Sequence, residues 1–320
     1  MSEFKVQVVR VGKIDKHPNA DSLSITKVWD YPVIIRTEEF KEGDLAVYVP
    51  VDSVVPKEDA RWTFLLGHNR IKAKRLRGVF SMGLLVNILP GMTEGQLVDK
   101  EYSITKYEAP FNLQLISECE RDPGFIPVYT DIEGLRRWPN KIVEGEEVVI
   151  TEKIHGCNAR FAYRERLYCG SRTTIKKRRE DSFWWIAAEK DRLEEKLSWW
   201  QRYIVYGEIY GQVQDLRYDV DRKEICRFIA FDIFDTGSGK YVDYGRFTDL
   251  IDQMGLVQVP ILYSGPWSND LRKLAEGKST IANNVREGIV IRPIYERYDD
   301  ELGRVILKLH GEGYLTRKEK

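Results

Sequence analysis

A lysine stands at the end of an apolar run near the middle of the chain. Residues 148–150 are Val-Val-Ile, and Lys153 is followed by His155, Gly156 and Asn158. A buried strand carries its last side chain to a place partly removed from water, where an amine that loses its proton becomes a nucleophile. A solvated charge at a strand edge is the commoner reason for such a lysine, so this segment alone leaves both interpretations open.

Six short motifs follow one another between residues 125 and 315. The first is Lys153-x-His155-Gly156-x-Asn158, and a lead-in at 126–133 precedes it. The other five motifs lie at 168–172, 205–208, 228–233, 286–290 and 307–310. In this order they resemble the nucleotidyltransferase signature of the lysyl-adenylate ligases. The first motif resembles that of the RNA ligases in particular. One such motif would be a weak signal, whereas six in order are specific.

The resemblance implies that Lys153 attacks the α-phosphorus of ATP, which requires a pKa below the usual value of about 10.4. It also implies that further residues bind the phosphates, namely His155, Asn158, Lys308 at the α-phosphate, and Arg172 near sugar and phosphate. Glu208 would contact the ribose, Phe231 the adenine, and Glu152 and His310 other parts of ATP. Glu287 with Glu208 would bind Mg²⁺ or Mn²⁺. Phosphoryl transfer depends on positioning and charge stabilisation, which explains the many charged groups. Taken singly, each residue also has an ordinary structural explanation.

The last motif departs from the family pattern at one position. Many relatives carry a second lysine two residues after the first, whereas this chain has His310 after Lys308. Either triphosphate binding is weaker here, or the alignment of this motif is inexact. An imidazole can still donate a hydrogen bond to a phosphate oxygen.

Strand patterns dominate the first hundred residues. Alternating or β-branched runs at 5–11, 23–29, 31–36, 45–51 and 83–89 are separated by turn residues, without a long helical period. Such spacing favours a small antiparallel barrel, and an oligonucleotide-binding (OB) fold fits best. Residues 11–23 resemble the tRNA-binding OB modules of synthetases, and His17-Pro18-Asn19 is also typical of a rigid turn.

The pattern changes after a turn-rich stretch. Strands are interleaved with helices from residue 125, and 181–200 is the clearest predicted helix. We therefore predict an α+β chain, with an OB domain at 1–100, a linker at 101–124 and an ATP-grasp-like nucleotidyltransferase domain of antiparallel sheets and helices at 125–320.

Two cationic segments stand out from a neutral background. The chain has 50 Lys plus Arg and 50 Asp plus Glu, so any RNA contact must come from local patches. Candidates for RNA binding are Arg70, Lys72, Lys74, Arg75 and Arg77, and Lys176 with Lys177. A solvated charge run explains either segment equally well.

Composition narrows the class of protein. Of 320 residues 42% are hydrophobic and 31% charged, which is typical of a globular chain of about two domains. An apolar stretch of 18 residues and a secretory leader are absent, so we expect a cytoplasmic protein and no membrane partner. Four scattered cysteines and four scattered histidines predict neither disulfides nor a zinc site.

These observations predict an ATP-dependent RNA ligase of the branch with an OB module before the transferase domain, known as RNA ligase family 5. It would join a 3′-hydroxyl to a 5′-phosphate through lysyl-AMP and an RNA-adenylate. A capping-type or other lysyl-nucleotidyl transferase is the alternative enzyme. A catalytically silent RNA-binding protein of the same fold is the alternative from another class.

Overall fold

The computed structural model describes residues 4–108, 119–218 and 225–317. The chain forms two units: one comprises the described parts of Met1–Phe111, Gly134–Pro139 and Leu315–Arg317, and the other those of Asn112–Glu133 and Asn140–Tyr314. Of the predicted linker, residues 109–118 lie outside the described residues. No helix within the described ranges is long and apolar enough to cross a membrane.

The first unit is built from short antiparallel strands. Its strands are β1 (Gln7–Arg10), β2 (Asp15–Lys16), β3 (Leu23–Val28), β4 (Tyr31–Arg36), β5 (Leu45–Val49), β6 (Ser53–Val54), β7 (Lys74–Leu76), β8 (Val79–Ser81), β9 (Leu84–Asn87) and β10 (Thr105–Lys106), with a 3₁₀ helix at Ala60–Leu65. The main sheets have the orders β1-β5-β9 and β2-β3-β4. Their inward residues, such as Val8, Val33 and Val47, are fully buried. Short runs of β-branched residues, buried over several successive positions in β4 and β5, thus form the predicted small antiparallel fold.

The second unit contains two larger antiparallel sheets. Its strands are β11 (Cys119–Glu120), β12 (Glu133–Gly134), β13 (Glu147–Lys153), β14 (Cys157–Arg164), β15 (Arg166–Gly170), β16 (Ile175–Lys176), β17 (Tyr203–Gly211), β18 (Cys226–Asp235), β19 (Lys240–Tyr241), β20 (Ile261–Pro266), β21 (Gly288–Pro293), β22 (Tyr298–Asp299), β23 (Gly303–Arg304) and β24 (Leu307–His310). One sheet has the order β11-β16-β15-β14-β17-β18-β19 and the other β12-β24-β21-β13-β20. With the helices, they confirm the predicted α+β class.

The helix predicted at 181–200 is wrong as a single element. The structure has α1 (Phe183–Lys190) and α2 (Leu193–Ser198), followed later by α3 (Tyr244–Gln253), a 3₁₀ helix at Asn269–Ala275 and α4 (Glu312–Leu315). Arg192 lies between the first two with a φ of 53°, a left-handed conformation that ends a helix. The break lets Trp184 and Trp185 of α1 and Leu193 and Leu197 of α2 all pack in one core.

A buried ionic cluster crosses the second unit. The Asp232 carboxylate is fully buried, accepts from Tyr129 Oη at 2.8 Å, and lies 3.1 Å from Arg292 Nη1 and 2.7 Å from Arg304 Nη1. Burial alone would raise the pKa of Asp232, but the two guanidinium groups outweigh it and lower the pKa. Glu296 completes the cluster by pairing with both arginines.

Replacing Asp232 with alanine is expected to reduce the free energy of unfolding by about 3–5 kcal/mol, because it leaves two buried guanidinium groups short of a counter-charge. Urea denaturation measures the change. The control is Asp181→Ala, which removes the exposed partner of Arg179 and should leave the midpoint unchanged. A loss in Asp232→Ala no larger than in the control would contradict this expectation.

Candidate active site

Three strands of the five-stranded sheet end at one place. Lys153, the last residue of β13, lies opposite Gly288 of β21, which in turn lies opposite His310 of β24. A Cβ atom on Gly288 would come within 2.1 Å of the Leu309 carbonyl oxygen, so only glycine allows these strands to meet. Lys308 and His310 are half-buried, while Leu307 and Leu309, which alternate with them, face the core. Strand alternation therefore places the Lys308 and His310 side chains on the face that carries Lys153.

Glu287 is the centre of this cluster. Its Oε1 lies 2.8 Å from Lys153 Nζ and 3.5 Å from His310 Nε2, and its Oε2 lies 3.6 Å from His155 Nδ1. Burial would raise the pKa of Glu287, but the Lys153 ammonium and the two imidazoles hold it well below its usual range. The carboxylate is thus held as an anion beside the predicted nucleophile.

The same carboxylates act on Lys153. Burial favours the neutral amine, but Glu287 and Glu208 outweigh it, so the pKa of Lys153 is raised above its ordinary value. A nucleophilic Lys153 requires a low pKa, and the protein without ATP and metal does not provide it. Glu208 responds in the opposite sense, because burial raises its pKa to about 8 despite the nearby Lys153.

Lys308 meets a different environment. Burial and the neighbouring charge of Lys153 lower its pKa to about 8, against the opposing effect of Glu133. Arg172, in the loop after β15, also influences Lys308 and has its own pKa lowered by burial. Its guanidinium forms an ion pair with Asp131. Lys308 thus lies near Lys153, and Arg172 near Lys308, which agrees with the phosphate-binding roles that the resemblance implies.

The seven-stranded sheet supplies the remaining predicted residues. Asn158 of β14 lies directly opposite Glu208 of β17. Gly156 allows this approach, since a Cβ there would lie 2.1 Å from the Ile209 carbonyl oxygen. The side-chain oxygen Oδ1 of Asn158 is buried and has no hydrogen-bond partner among the described residues.

Phe231 occupies a β-bulge. Tyr206 of β17 pairs with Asp232 of β18, but the next residue, Gly207, pairs with Ala230, so Phe231 has no partner across the ladder. A bulge turns one side chain away from the regular alternation. The Phe231 ring is half-buried, with its centroid 4.9 Å from that of Tyr129.

Glu152 faces away from this cluster. Its carboxylate is buried, and Oε2 accepts hydrogen bonds from the Thr280 backbone nitrogen at 2.8 Å and hydroxyl at 2.6 Å. Its other oxygen, Oε1, has no hydrogen-bond partner in the described part of the chain. The predicted role of Glu152 in ATP binding therefore depends on this second oxygen.

The donor set suits a hard divalent cation. Two buried oxygens, Glu287 Oε2 and Asn158 Oδ1, have no hydrogen-bond partner within the described residues, and carboxylate and amide oxygens are ligands that Mg²⁺ and Mn²⁺ prefer. The described ranges contain no cluster of three or more His, Cys, Asp or Glu that could hold a metal ion alone. A cation held by one or two carboxylates, with substrate phosphates and water completing its shell, fits both observations.

Sequence reasoning missed three residues that hold His155. Asp215 Oδ1 lies 2.9 Å from His155 Nε2, and Tyr314 Oη lies 3.1 Å from His155 Nδ1. The Tyr218 hydroxyl accepts from the His155 backbone nitrogen at 2.9 Å. All three lie between 60 and 159 residues away in sequence, and no local pattern marks them.

Comparison with known proteins decides the family. A family model described as RNA ligase matches residues 146–310, just over half of the chain. The chain belongs to the RNA ligase family. A second family model, described as an OB-fold domain, matches residues 5–88 of this RNA ligase family member. A search of curated proteins gave no match.

Solved structures of a Naegleria gruberi RNA ligase share the fold of this family member. A lysine-to-alanine mutant with ATP and Mn has a TM-score of 0.82 and 24% identity, covering 97% of this chain and 98% of that one. The same ligase with PPi (0.82, 23%) and a glutamate-to-alanine mutant with AMP and Mn (0.83, 24%) each cover 98% of both chains. The predicted fold, an N-terminal OB domain followed by a nucleotidyltransferase domain, is confirmed.

The first predicted RNA-binding segment of this family member lies mainly on an exposed hairpin. Strands β7 and β8 are joined by Arg77 and Gly78, both with positive φ, and Lys72, Lys74, Arg75 and Arg77 are exposed. His17 and Asn19 fix the turn, since His17 Nε2 lies 3.1 Å from the Leu76 carbonyl oxygen and Asn19 Nδ2 donates to that of Arg77 at 2.9 Å.

Arg70 differs from the other cations of this segment. Its Nη2 lies 2.7 Å from Asp52 Oδ1, and its guanidinium lies 3.6 Å from the centre of the Tyr107 ring. These contacts hold it against the first unit, so we leave it out of the proposed RNA-binding set.

The second predicted segment needs a correction. Lys176 is only 4% exposed, because its ammonium lies 4.6 Å from the centre of the Trp184 ring, with Cys119 Sγ at 3.8 Å. Lys176 is therefore part of the packing and is not the surface cation that was expected, whereas Lys177 is exposed.

Proposed function

We propose that this protein is an ATP-dependent ligase that joins an RNA 3′-hydroxyl to an RNA 5′-phosphate. The observation that carries the proposal is the 2.8 Å contact of Lys153 Nζ with Glu287 Oε1, at the end of a buried strand. Membership of the RNA ligase family and solved relatives that contain ATP, AMP or PPi support it.

The reaction would proceed in three displacements. Lys153 Nζ attacks the α-phosphorus of ATP, so that a P–N bond forms and pyrophosphate leaves. An oxygen of the RNA 5′-phosphate then takes AMP from the lysine, which breaks the P–N bond. The 3′-hydroxyl finally attacks the 5′-phosphorus, forms the phosphodiester and releases AMP.

The charged residues would act by positioning and charge stabilisation. Lys308 and Arg172 would bind phosphate oxygens, Glu208 the ribose, and Phe231 the face of adenine, with His155, Asn158, His310 and Glu152 around them. Glu287, with Glu208, would hold Mg²⁺ or Mn²⁺, which neutralises phosphate charge when bound. In the protein alone, Glu287 keeps Lys153 protonated. If Glu287 bound the metal ion instead, it would stabilise the Lys153 ammonium less and so favour the neutral amine.

The exposed hairpin cations Lys72, Lys74, Arg75 and Arg77, together with Lys177, are proposed to bind the RNA backbone. Phosphate contacts of this kind release counterions, so the logarithm of the affinity falls linearly with the logarithm of the salt concentration.

Free thiols are the basis for proposing a cytoplasmic location, because all four cysteines are free and this suits a reducing compartment.

Neutralising Lys72, Lys74 and Arg75 together should flatten the salt dependence of RNA binding, by roughly 0.9 in the log–log slope for each duplex phosphate that is no longer neutralised. Fluorescence anisotropy with labelled nicked RNA at several salt concentrations measures the slope. Neutralising Lys41, Lys57 and Lys100 is the control, since it removes the same charge from other exposed positions. Equal slopes in the two triple variants would mean that the hairpin is an ordinary solvated surface that does not bind RNA.

The experiment that tests the proposed function is a joining assay. End-labelled RNA with a 5′-phosphate and RNA with a 3′-hydroxyl are incubated with the protein, ATP and Mn²⁺. We expect a longer product whose label resists phosphatase, and none from ends that lack the 5′-phosphate. Absence of product with both nicked duplex and single-stranded RNA would contradict the proposal.

A further inference from the structure

The first unit contains a cavity of about 580 Å³. The residues that line it all lie between Leu23 and Tyr102, outside the six motifs. Its walls come mainly from β4, from β9 and from the 3₁₀ helix at Ala60–Leu65. The volume is within the range of roughly 300–1,000 Å³ that is usual for small-molecule sites. The cavity is therefore large enough for a nucleobase.

Several of the lining residues are apolar and yet exposed to solvent. Phe64, Leu76 and Leu89 line the cavity and are 48%, 39% and 37% exposed. The Phe64 ring lies beside that of Trp62 in the wall, with centroids 6.3 Å apart. Apolar side chains left open around a concave site are typical of a binding surface. An aromatic ring among aliphatic neighbours suits a flat ligand.

The few polar groups of the cavity include both donors and acceptors. Trp62 is only 3% exposed, and its indole Nε1 has no hydrogen-bond partner among the described residues. This nitrogen can only donate, so a ligand with an acceptor atom would satisfy it. Arg36, Glu39 and Asn87 also line the cavity and add donors and acceptors. A nucleobase carries both kinds of group at its edges, whereas the apolar side chain of a protein partner has neither.

The cavity adjoins the cationic hairpin. Leu76, which lines the cavity, lies in β7 next to Arg75 and is followed by Arg77 in the turn. Both arginines are exposed. Proteins that bind single-stranded nucleic acid combine cations that follow the phosphates with apolar or aromatic groups on which bases stack. The hairpin and the cavity together present this combination within one unit.

We propose that this cavity binds one unpaired base of the RNA, while the hairpin cations hold the neighbouring phosphates. The base would pack against Phe64 and the aliphatic wall and would accept a hydrogen bond from Trp62 Nε1. A paired base inside a helix is stacked on both faces and cannot enter, so the site would favour RNA with an unpaired nucleotide. The inference rests on the proposed function for RNA as the ligand.

The test compares two RNA duplexes of equal length and charge that differ by one base. The first carries a single bulged adenosine, and in the second the bulged nucleotide is abasic. Fluorescence anisotropy at one salt concentration gives both dissociation constants. We expect the wild type to bind the first duplex about 10-fold more tightly, since stacking of one base on an aromatic side chain typically contributes a factor of this order.

Phe64→Ala should remove this preference, and its half-exposed position means that the fold should tolerate the change. Leu89→Asp is a second variant, which places a carboxylate in the same cavity and should have the same effect. The matched control is Leu66→Ala, which removes an apolar side chain that is 87% exposed and does not line the cavity. It should keep the 10-fold preference.

Equal binding of the two duplexes by the wild type overturns the inference, and would indicate that the cavity takes another class of ligand, such as an apolar side chain of a protein partner. A preference that persists in folded Phe64→Ala or Leu89→Asp also overturns it, because the base would then bind elsewhere. A wild type that shows the preference but joins no RNA ends would instead contradict the proposed function, while the cavity assignment would stand.

Discussion

Lys153→Ala should abolish joining of 5′-phosphorylated RNA with ATP while retaining joining of RNA that already carries a 5′-adenylate. The reason is that the lysine takes part in the first two displacements only. In the third, the 3′-hydroxyl attacks the phosphorus of an RNA-adenylate already formed, and the proposed metal contact of Glu287 and phosphate contact of Lys308 remain. Parallel assays with the two RNA substrates measure the separation.

Lys190→Ala is a suitable control, because it removes a lysine at the end of α1, away from the motifs. It should join both substrates as the wild type does. Loss of both activities in a folded Lys153→Ala would mean that the lysine also serves the last step. Full joining with ATP by Lys153→Ala would mean that Lys153 is not the nucleophile.

Glu287→Gln and Lys308→Met should each slow adenylation by about 100-fold or more, because the first removes the carboxylate proposed to hold the divalent metal and the second removes a cation proposed to bind phosphate oxygens. His310→Ala should have the smallest effect of the three, because His310 stands where this chain departs from the second lysine of the family pattern. Single-turnover rates with labelled ATP give the order. Glu147→Gln, at the exposed start of β13, serves as the control for loss of a carboxylate.

His310→Ala as the slowest of these variants would contradict the proposed roles. It would indicate that the imidazole binds the triphosphate in place of the lysine that many relatives carry. Equal rates for Glu287→Gln and Glu147→Gln would mean that Glu287 does not hold the metal.

Lys153, Lys308 and His310 were predicted to share one site from the order of the motifs and their resemblance to a family. In the structure they lie on one face of the five-stranded sheet, on β13 and β24 with β21 between these two strands. Membership of the RNA ligase family and the order of the two folds were predicted from the motifs and their resemblance, and both are confirmed.

Other features depend on long-range packing that no local pattern encodes. The bulge at Phe231 arises from a register shift between β17 and β18, and the break at Arg192 from the need of α1 and α2 to share one core. Lys176 is buried because it packs against Trp184. The sequence shows only a run of four cations at this place, which does not indicate that the first of them is buried. Tyr314 meets His155 only because α4 returns to the end of β13.

Peptide mapping of the protein after incubation with ATP and Mn²⁺ tests the central claim most directly. We expect a single AMP, attached through a P–N bond to Lys153, and no adduct when GTP replaces ATP. An AMP on any other residue, or a nucleotide adduct that forms only from GTP, would contradict the proposed role of Lys153.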